Sequence, residues 1–300
     1  MVRPAAFSYN EETAANNLFQ QASSLSKETL QQKALAQFDA MVKMLLVKGI
    51  HVIVQDDDVD PPKPDAVFPN NWFLTGADGG IHLFPMFAPN RRKERSSAIV
   101  DALKESFVFD YIKDWSDGEA LNEFLEGTGS MVFDHNNRII YACISERTNV
   151  NALKRFAEDM QYRAIPFTAE FEGAPVYHTN VMLSIGEGFA VLCPKSIADH
   201  TERIAVAQLL EATGHENIYV EPEHMKNFAC NLLQVKNNAG KRMIVISQSA
   251  VNALPQEKLE RLQHHGELLP IDVSLIESVN GGSVRCMVAE IFLKRRQAVT

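Results

Sequence analysis

Phe68-Pro69-Asn70-Asn71-Trp72-Phe73 and Tyr177-His178-Thr179-Asn180-Val181-Met182 can be laid over one another, and Phe228-Ala229-Cys230-Asn231-Leu232-Leu233 follows the second after 51 residues. Each segment opens on an aromatic residue, carries an asparagine at its fourth position and ends in two apolar residues. Asn71, Asn180 and Asn231 therefore share a column. Strand interiors are normally poor in asparagine. One such residue reads as a turn or a satisfied polar group; three in register point to a polar cavity at the centre of a repeated structure.

Outward from that column, strand-like runs and helical patterns recur in a fixed order. Gly49–Gln55, Ala66–Thr75 and Ile81–Met86 read as strands, rich in β-branched and aromatic residues, and Arg91–Ser106 as a helix. The order returns with Phe107–Ile112, Ser130–Asp134, Arg138–Ile144 and a helix over Glu146–Met160; with Tyr162–Thr168, Val176–Ile185, Phe189–Cys193 and a helix over Ile197–Thr213; and with Ile218–Glu221, Phe228–Val235, Arg242–Ser247 and a helix ending near His265. A fifth round begins at Leu268–Ser274, continues through Val284–Leu293 and stops. First strands thus begin near residues 50, 107, 162, 216 and 267, a period of 50 to 57, which is the signature of radial repetition of one supersecondary unit. The N-terminus can complete the fifth round with a strand over Val2–Phe7 and an amphipathic helix over Glu28–Val47. Closure of that kind removes exposed sheet edges. The expectation is an α/β five-fold ring in one domain, 1–300; the other reading is a general α/β domain without closed symmetry.

Bulk properties bound the function. A chain of 300 residues can bury one large core or two smaller ones. Net charge of −9 argues against a nucleic-acid-binding surface. The four cysteines, Cys143, Cys193, Cys230 and Cys286, form no C-x-x-C pair, which argues against a zinc knuckle or disulfide scaffold and fits a reducing compartment. The N-terminus lacks the apolar run of a signal peptide, and no stretch approaches 18 consecutive apolar residues. A soluble cytoplasmic protein is expected.

Chemistry concentrates in three places. Asn280-Gly281-Gly282-Ser283-Val284-Arg285-Cys286-Met287 sets a cysteine just after two glycines, which let a backbone turn sharply and a ligand come close. A thiolate is a strong nucleophile, although a free cysteine also serves as a small buried hydrophobe. Leu125-Glu126-Gly127-Thr128-Gly129 leads into a strand of the second round, and His178 lies on the third. Five-fold convergence would bring Cys286, His178 and Glu126 together as nucleophile, general acid/base and orienting carboxylate. Taken singly, His178 has a second reading as a hydrogen-bonded core histidine, and Glu126 as a surface charge at a turn.

In order and spacing these segments resemble the pentein or guanidino-group-modifying superfamily, which includes arginine deiminases, dimethylarginine hydrolases, agmatine deiminases and amidinotransferases. The similarity runs from about Asp65 to Met287. The L-E-G-x-G segment at Glu126 resembles the acid motif, His178-Thr179-Asn180 the H-x-D motif, and Gly281–Met287 the arginine deiminase cysteine turn. Pro89-Asn90-Arg91-Arg92-Lys93-Glu94 resembles a dimethylarginine hydrolase segment whose first arginine holds the substrate carboxylate, and Asp65-Ala66-Val67-Phe68 the start of that enzyme's substrate-binding strand. The resemblance implies a five-bladed ββαβ propeller and covalent thiol catalysis without metal or organic cofactor; His82, His264 and His265 lack metal-ligand spacing, in agreement. It also implies Arg91 for the substrate α-carboxylate and Asp65 for the α-ammonium. Arg91 reads alternatively as a solvated helix start beside Arg92, Lys93 and Arg95, and Asp65 as a turn residue after Pro64. Trp72 and Phe73 read as packing residues.

The departures from the family pattern are informative. Guanidine-acting members usually place carboxylates where this chain has Asn71 and Asn180. A guanidinium is a permanent cation that pairs best with carboxylates, whereas a ureido group is neutral and matches an amide's donor and acceptor. The expectation is therefore a hydrolase of a carbon–nitrogen bond in a ureido amino acid, citrulline giving ornithine, ammonia and carbon dioxide. Glu126 and Asp65 remain acidic, which keeps guanidine hydrolysis of the arginine deiminase, dimethylarginine hydrolase or arginine dihydrolase type as the alternative. Amidino transfer and a non-enzymatic ribosome-binding factor of the same fold are the remaining readings. The partner is a small amino acid, with no nucleic acid and no membrane; a homodimer is compatible with all of these.

Overall fold

The asparagine column sits on tight turns rather than in strands. In the computed structural model, which describes residues 1–296, Pro69–Asn71 and Thr179–Val181 are single 3₁₀ turns and Gly127–Ser130 one helical turn. Asn231 and Cys286 close comparable turns, their N–H groups donating to Phe228 O at 2.8 Å and Ser283 O at 2.9 Å. The expected strands Ala66–Thr75, Ser130–Asp134, Val176–Ile185 and Phe228–Val235 shorten accordingly to Phe73–Thr75, Val132–Asp134, Leu183–Gly186 and Leu233–Lys236. The reason is local. Pro69 has no N–H to give a ladder, and the apolar residues that follow each turn extend the strand pattern backwards over it.

The repeat is visible in the pairing. Four three-stranded sheets share one plan: Phe73–Thr75, Gly80–Leu83, Tyr111–Asp114; Val132–Asp134, Ile139–Cys143, Arg163–Phe167; Leu183–Gly186, Phe189–Leu192, Glu216–Tyr219; and Leu233–Lys236, Arg242–Ser247, Glu267–Ile271. In each, the first pair is antiparallel and the second parallel. The parallel crossovers run through the helices Ser97–Ser106, Val150–Asp159, His200–Ala212 and Gln256–His265, as parallel neighbours require a long connection. The helix expected over Arg91–Ser106 is broken into Pro89–Arg92 and Ser97–Ser106, and the break leaves Arg91 buried rather than solvated.

The ends of the chain meet. Val2–Arg3 pairs in parallel with Gln55–Asp56 through the helix Lys27–Val47. That helix is capped by Ser26, whose Oγ accepts from Thr29 N at 3.3 Å, and it buries Leu30, Ala34, Phe38, Met41 and Leu45. These side chains share a core with Val245, Leu269, Ile276 and Val284 from the C-terminal third. Val284–Leu293, expected as strand, is a turn over 284–287 and irregular beyond it; Thr75 Oγ1 donates to Glu290 O and accepts from Phe292 N instead. The sheets of the described residues are separate and are not joined into one closed sheet. No helix among them is long and apolar enough to cross a membrane.

Candidate active site

Cys286, His178, Asp65, Asn71 and Arg91 line one narrow pocket, with Arg147, Tyr177 and Asn280 beside them. Asn71 and His178 arrive at turns just before regular strands, Asp65 and Cys286 on turns and Arg91 on the short helix Pro89–Arg92, so short turns aim the side chains. Gly281 makes the cysteine approach feasible. It caps the helix Ser274–Asn280 in the left-handed region, φ 64°, where a Cβ would strike Asn17 at 2.6 Å. Gly129 leaves room of the same kind, since a Cβ there would lie 2.4 Å from Asn71 Nδ2 and 2.7 Å from His178 Nδ1.

Glu126 and His178 form a buried pair. Glu126 Oε2 accepts from His178 Nε2 at 2.8 Å, and Oε1 accepts from Phe87 N at 2.9 Å. Burial works against the Glu126 carboxylate, but the His178 bond and the arginines Arg147 and Arg91, 3.8 and 3.9 Å away, outweigh it and bring its pKa down to about 2. Burial takes His178 down to about 4 in spite of Glu126. The imidazole is therefore neutral near pH 7. Its Nε2 proton is pinned on Glu126, so Nδ1 carries the lone pair.

Arg91 is the hub of the carboxylates. Its Nε and Nη2 donate to Glu94 at 2.9 Å each, Nη1 to Asn71 Oδ1 at 2.9 Å and Nη2 to Phe68 O at 3.4 Å, and Asp65 Oδ2 lies 3.6 Å from Nε. Burial disfavours the Arg91 cation, yet Glu94 and Asp65 more than compensate and raise its pKa. Asp65 accepts from Asn10 Nδ2 at 2.6 Å and from Asn280 Nδ2. Because Arg91 can only donate, Asn71 must turn Oδ1 towards it. Asn71 Nδ2 is then left buried, without a partner among the described residues.

The thiol sits in a neutral environment. Asn180 Nδ2 lies 3.5 Å and Asn231 Nδ2 3.3 Å from Cys286 Sγ. Burial raises the thiol pKa, with smaller opposing contributions from the Ser283 backbone, Asn231, Arg285 and Asn180. A wider cavity opens on the far side of Asn180 and Thr128 and is lined by Ser184, Arg285 and Glu290 but not by Cys286.

Comparison with known proteins places this site. The sequence matches the model of the family described as N,N dimethylarginine dimethylhydrolase, eukaryotic, over residues 3–293. The chain belongs to that family. It is thus a hydrolase of the guanidino-group-modifying, pentein kind. Among curated proteins none matches. The fold is similar to that of the N-terminal domain of ArgZ, an arginine dihydrolase from the ornithine–ammonia cycle in cyanobacteria, solved with substrate as a cysteine-to-serine variant: TM-score 0.74, 17% identity, 98% of either chain covered. Unliganded AgrE gives TM-score 0.74 at 16% identity, with 100% of this chain and 40% of AgrE covered. A dimethylarginine dimethylaminohydrolase adduct with S-methyl-L-thiocitrulline gives TM-score 0.64 at 15% identity, covering 98% and 97%. This chain spans 40% of the full ArgZ and AgrE chains.

All seven residues singled out from the sequence, Asp65, Asn71, Arg91, Glu126, His178, Asn180 and Cys286, lie in this one cluster, each at most 3% exposed. Asn180 meets the others through Cys286 and borders the wider cavity as well. Two further residues belong to the cluster. Asn231 was visible in the asparagine column but carried no motif. Arg147, under 2% exposed, stacks 4.9 Å over the Tyr177 ring and donates to Thr13 O at 3.1 Å. It follows Arg91 by 56 residues, one repeat, and that spacing was its signal. Together the cluster offers a nucleophile, a neutral imidazole with an open lone pair, a paired carboxylate and spare amide donors. Those are the parts that covalent hydrolysis of a planar, sp² carbon needs.

Proposed function

We propose that this enzyme hydrolyses the ureido group of a free amino acid, citrulline foremost, giving ornithine, ammonia and carbon dioxide. The observation that carries this reading is the orientation of Asn71, a residue of the pocket wall: Arg91 takes its Oδ1, which leaves Nδ2 as a buried donor without a partner among the described residues. A ureido carbonyl accepts from that donor. A guanidinium has only donors there, and a buried donor facing a donor costs about 1–3 kcal/mol. Asn180 is likewise an amide, with its Nδ2 on Thr128 O at 3.2 Å and near the thiol.

As Cys286 Sγ adds to the ureido carbon, His178 Nδ1 takes up the thiol proton, and the developing oxyanion is held by Asn71 Nδ2. The C–N bond to the terminal amine breaks, His178 delivers a proton to that nitrogen, and ammonia departs. A thiocarbamate remains between Cys286 and the ornithine chain. Water, deprotonated by His178, adds to it, the C–S bond breaks, and the carbamic acid decomposes to amine and carbon dioxide. Glu126 keeps His178 in the tautomer that both steps need. Asp65 takes the substrate α-ammonium, and Arg91, through the N–H not engaged by Glu94, Asn71 or Phe68, takes the α-carboxylate. The site works in a single pentein domain, 1–300, whose five units form a propeller completed by the N-terminal strand and helix. The spacing of Asn71, Glu126, Asn180, Asn231 and Cys286, 51 to 55 residues each, supports that arrangement. A cytoplasmic setting suits its four free, buried cysteines.

Glu126 and Asp65 favour a second reading, guanidine hydrolysis of the arginine dihydrolase or dimethylarginine hydrolase type. Ammonia release from citrulline and from arginine, each with a Cys286→Ala control, separates the two. Citrulline turnover that vanishes in the variant is expected; turnover of arginine alone sinks the ureido reading and leaves the thiol mechanism in place.

A further inference from the structure

Cys286 Sγ lies against two side-chain amides, and one of them, Asn231, has no function so far. Asn231 is 0% exposed. Its Oδ1 accepts from Arg285 N at 3.0 Å, while Nδ2 donates to Asn180 O at 3.0 Å and points at Sγ at 3.3 Å. The Arg285 N–H, a donor, fixes which end of the amide is oxygen. Nδ2 is therefore committed to the sulfur side, and the residue ties the fourth-round turn to the cysteine turn and to the third-round turn at once. We infer that Asn231 is a catalytic residue of this site, stabilising the Cys286 thiolate by N–H···S donation in a neutral anion hole shared with Asn180.

The need for such a hole follows from the charges around the sulfur. Burial disfavours the thiolate. A cationic substrate would offset that by bringing its own positive charge beside the sulfur. A ureido substrate brings none, and in this respect the inference rests on the ureido reading. The protein's cations are already engaged. Arg91 is held by Glu94, Arg147 stands 3.8 Å from Glu126, and Arg285 reaches Glu290 at 2.9 Å. The remaining titratable groups on the elements around the pocket are neutral His178, Tyr177, whose hydroxyl donates to Gly281 O, Asp65, bonded to Asn10 and Asn280, and the buried Glu277, which accepts from Ser283 Oγ at 2.5 Å. Beside the Ser283 backbone, Asn180 and Asn231 are the side-chain donors that remain for sulfur. Uncharged donors also leave the pocket suited to a neutral group.

The test needs no substrate. The rate of Cys286 alkylation by iodoacetamide is measured against pH in the wild type, Asn231→Asp and Asn231→Ala, with modification mapped by mass spectrometry and folding checked by circular dichroism. Asn231→Ala removes the donor to sulfur without adding charge, so it isolates the proposed bond; Asn231→Asp keeps the acceptor for Arg285 N but adds a carboxylate that itself opposes the thiolate. The midpoint is expected to move up by about one pH unit in Asn231→Ala, a tenfold smaller thiolate fraction at a given pH, and further in Asn231→Asp. Because a more basic thiolate is a better nucleophile, the rate at one pH falls by only about threefold, so the midpoint is the decisive reading. An unchanged midpoint in a folded Asn231→Ala protein would overturn the inference, whatever happens to turnover. A shifted midpoint in a protein that does not turn over citrulline would leave Asn231 in its role and remove only the substrate.

Discussion

Two halves of the pocket meet at the substrate position and are built on opposite electrostatic terms. On one side Asp65, Glu94 and Glu126 surround Arg91, with Arg147 beyond them; every one of these groups is at most 3% exposed and locked by partners. On the other, Cys286 faces Asn71, Asn180 and Asn231, with no formal charge among their side chains at neutral pH apart from the thiolate itself. The difference teaches where recognition and reaction are divided. Opposed charges suit the α-amino and α-carboxylate ends of a zwitterion. Amides suit a planar group that has both a donor and an acceptor. A guanidinium pairs best with carboxylates; this pocket sets them on one side and amides on the other.

The largest expected effect tests whether the neutral half does the chemistry at all. Cys286→Ala should reduce turnover by at least about 10⁴-fold while leaving the thermal melt nearly unchanged, because the side chain lost is small. Residual turnover within tenfold of wild type would move the reaction away from the thiol. The charged half should respond in the opposite sense. Arg91→Ala leaves Asp65, Glu94 and Glu126 facing one another without their shared cation, and breaking a buried charge cluster costs about 3–5 kcal/mol, read as a lower urea midpoint. The exposed Arg242–Glu187 pair is the control: Arg242→Ala should cost under about 1 kcal/mol.

Asn71→Asp exchanges the two terms at a single atom. The new oxygen points where Nδ2 pointed, so citrulline should lose about 10–100-fold in kcat/KM, equivalent to about 1–3 kcal/mol, and arginine should gain. If both substrates fall together, Asn71 is holding Arg91 rather than reading the substrate, and the contrast between the halves is packing alone.

How much of this was legible in the sequence follows from the same contrast. The repeat showed because each round must bury an apolar sheet face, and burial imposes a period on the chain. Apolar runs mark strands poorly at their ends, however. They hid the turns at Pro69–Asn71 and Thr179–Val181, where the polar side chains are aimed. Cys286, His178 and Glu126 were found because their residue types carry chemistry. Asn231 and Arg147 were missed because their meaning is positional: an asparagine is ordinary until its amide is seen against a sulfur, and Arg147 stands out only once Arg91 has a repeat partner. The Val284–Leu293 stretch was misread for a physical reason as well. Its β-branched and aromatic residues favour a strand, but Thr75 Oγ1 takes up Glu290 O and Phe292 N in place of a ladder.

The smallest predicted effect asks whether the Glu126–His178 pair is a strut of the fold or a working base. His178 has a folded pKa of about 4 against an ordinary 6.5. The unfolded chain therefore binds a proton here that the folded chain refuses, so stability declines as pH falls from 6.5 towards 4 and levels off below. Between pH 6.5 and about 5 this one group should remove about 1–2 kcal/mol. Glu126 adds a second decline at lower pH. Its folded pKa of about 2 lies below the ordinary 4.5, so the stability it contributes is complete above 4.5 and lost as pH falls towards 2. Urea titrations of the wild type and His178→Gln across this range should show the upper decline flattened in the variant, because glutamine does not titrate. Turnover should follow a different course: a histidine that stays neutral down to about pH 4 places the acid limb of kcat/KM below the usual histidine range. An acid limb near 6.5 together with an unflattened stability curve would mean that the imidazole is charged in the folded protein. The site would then present a cation beside the thiol, and the neutral half would be neutral no longer.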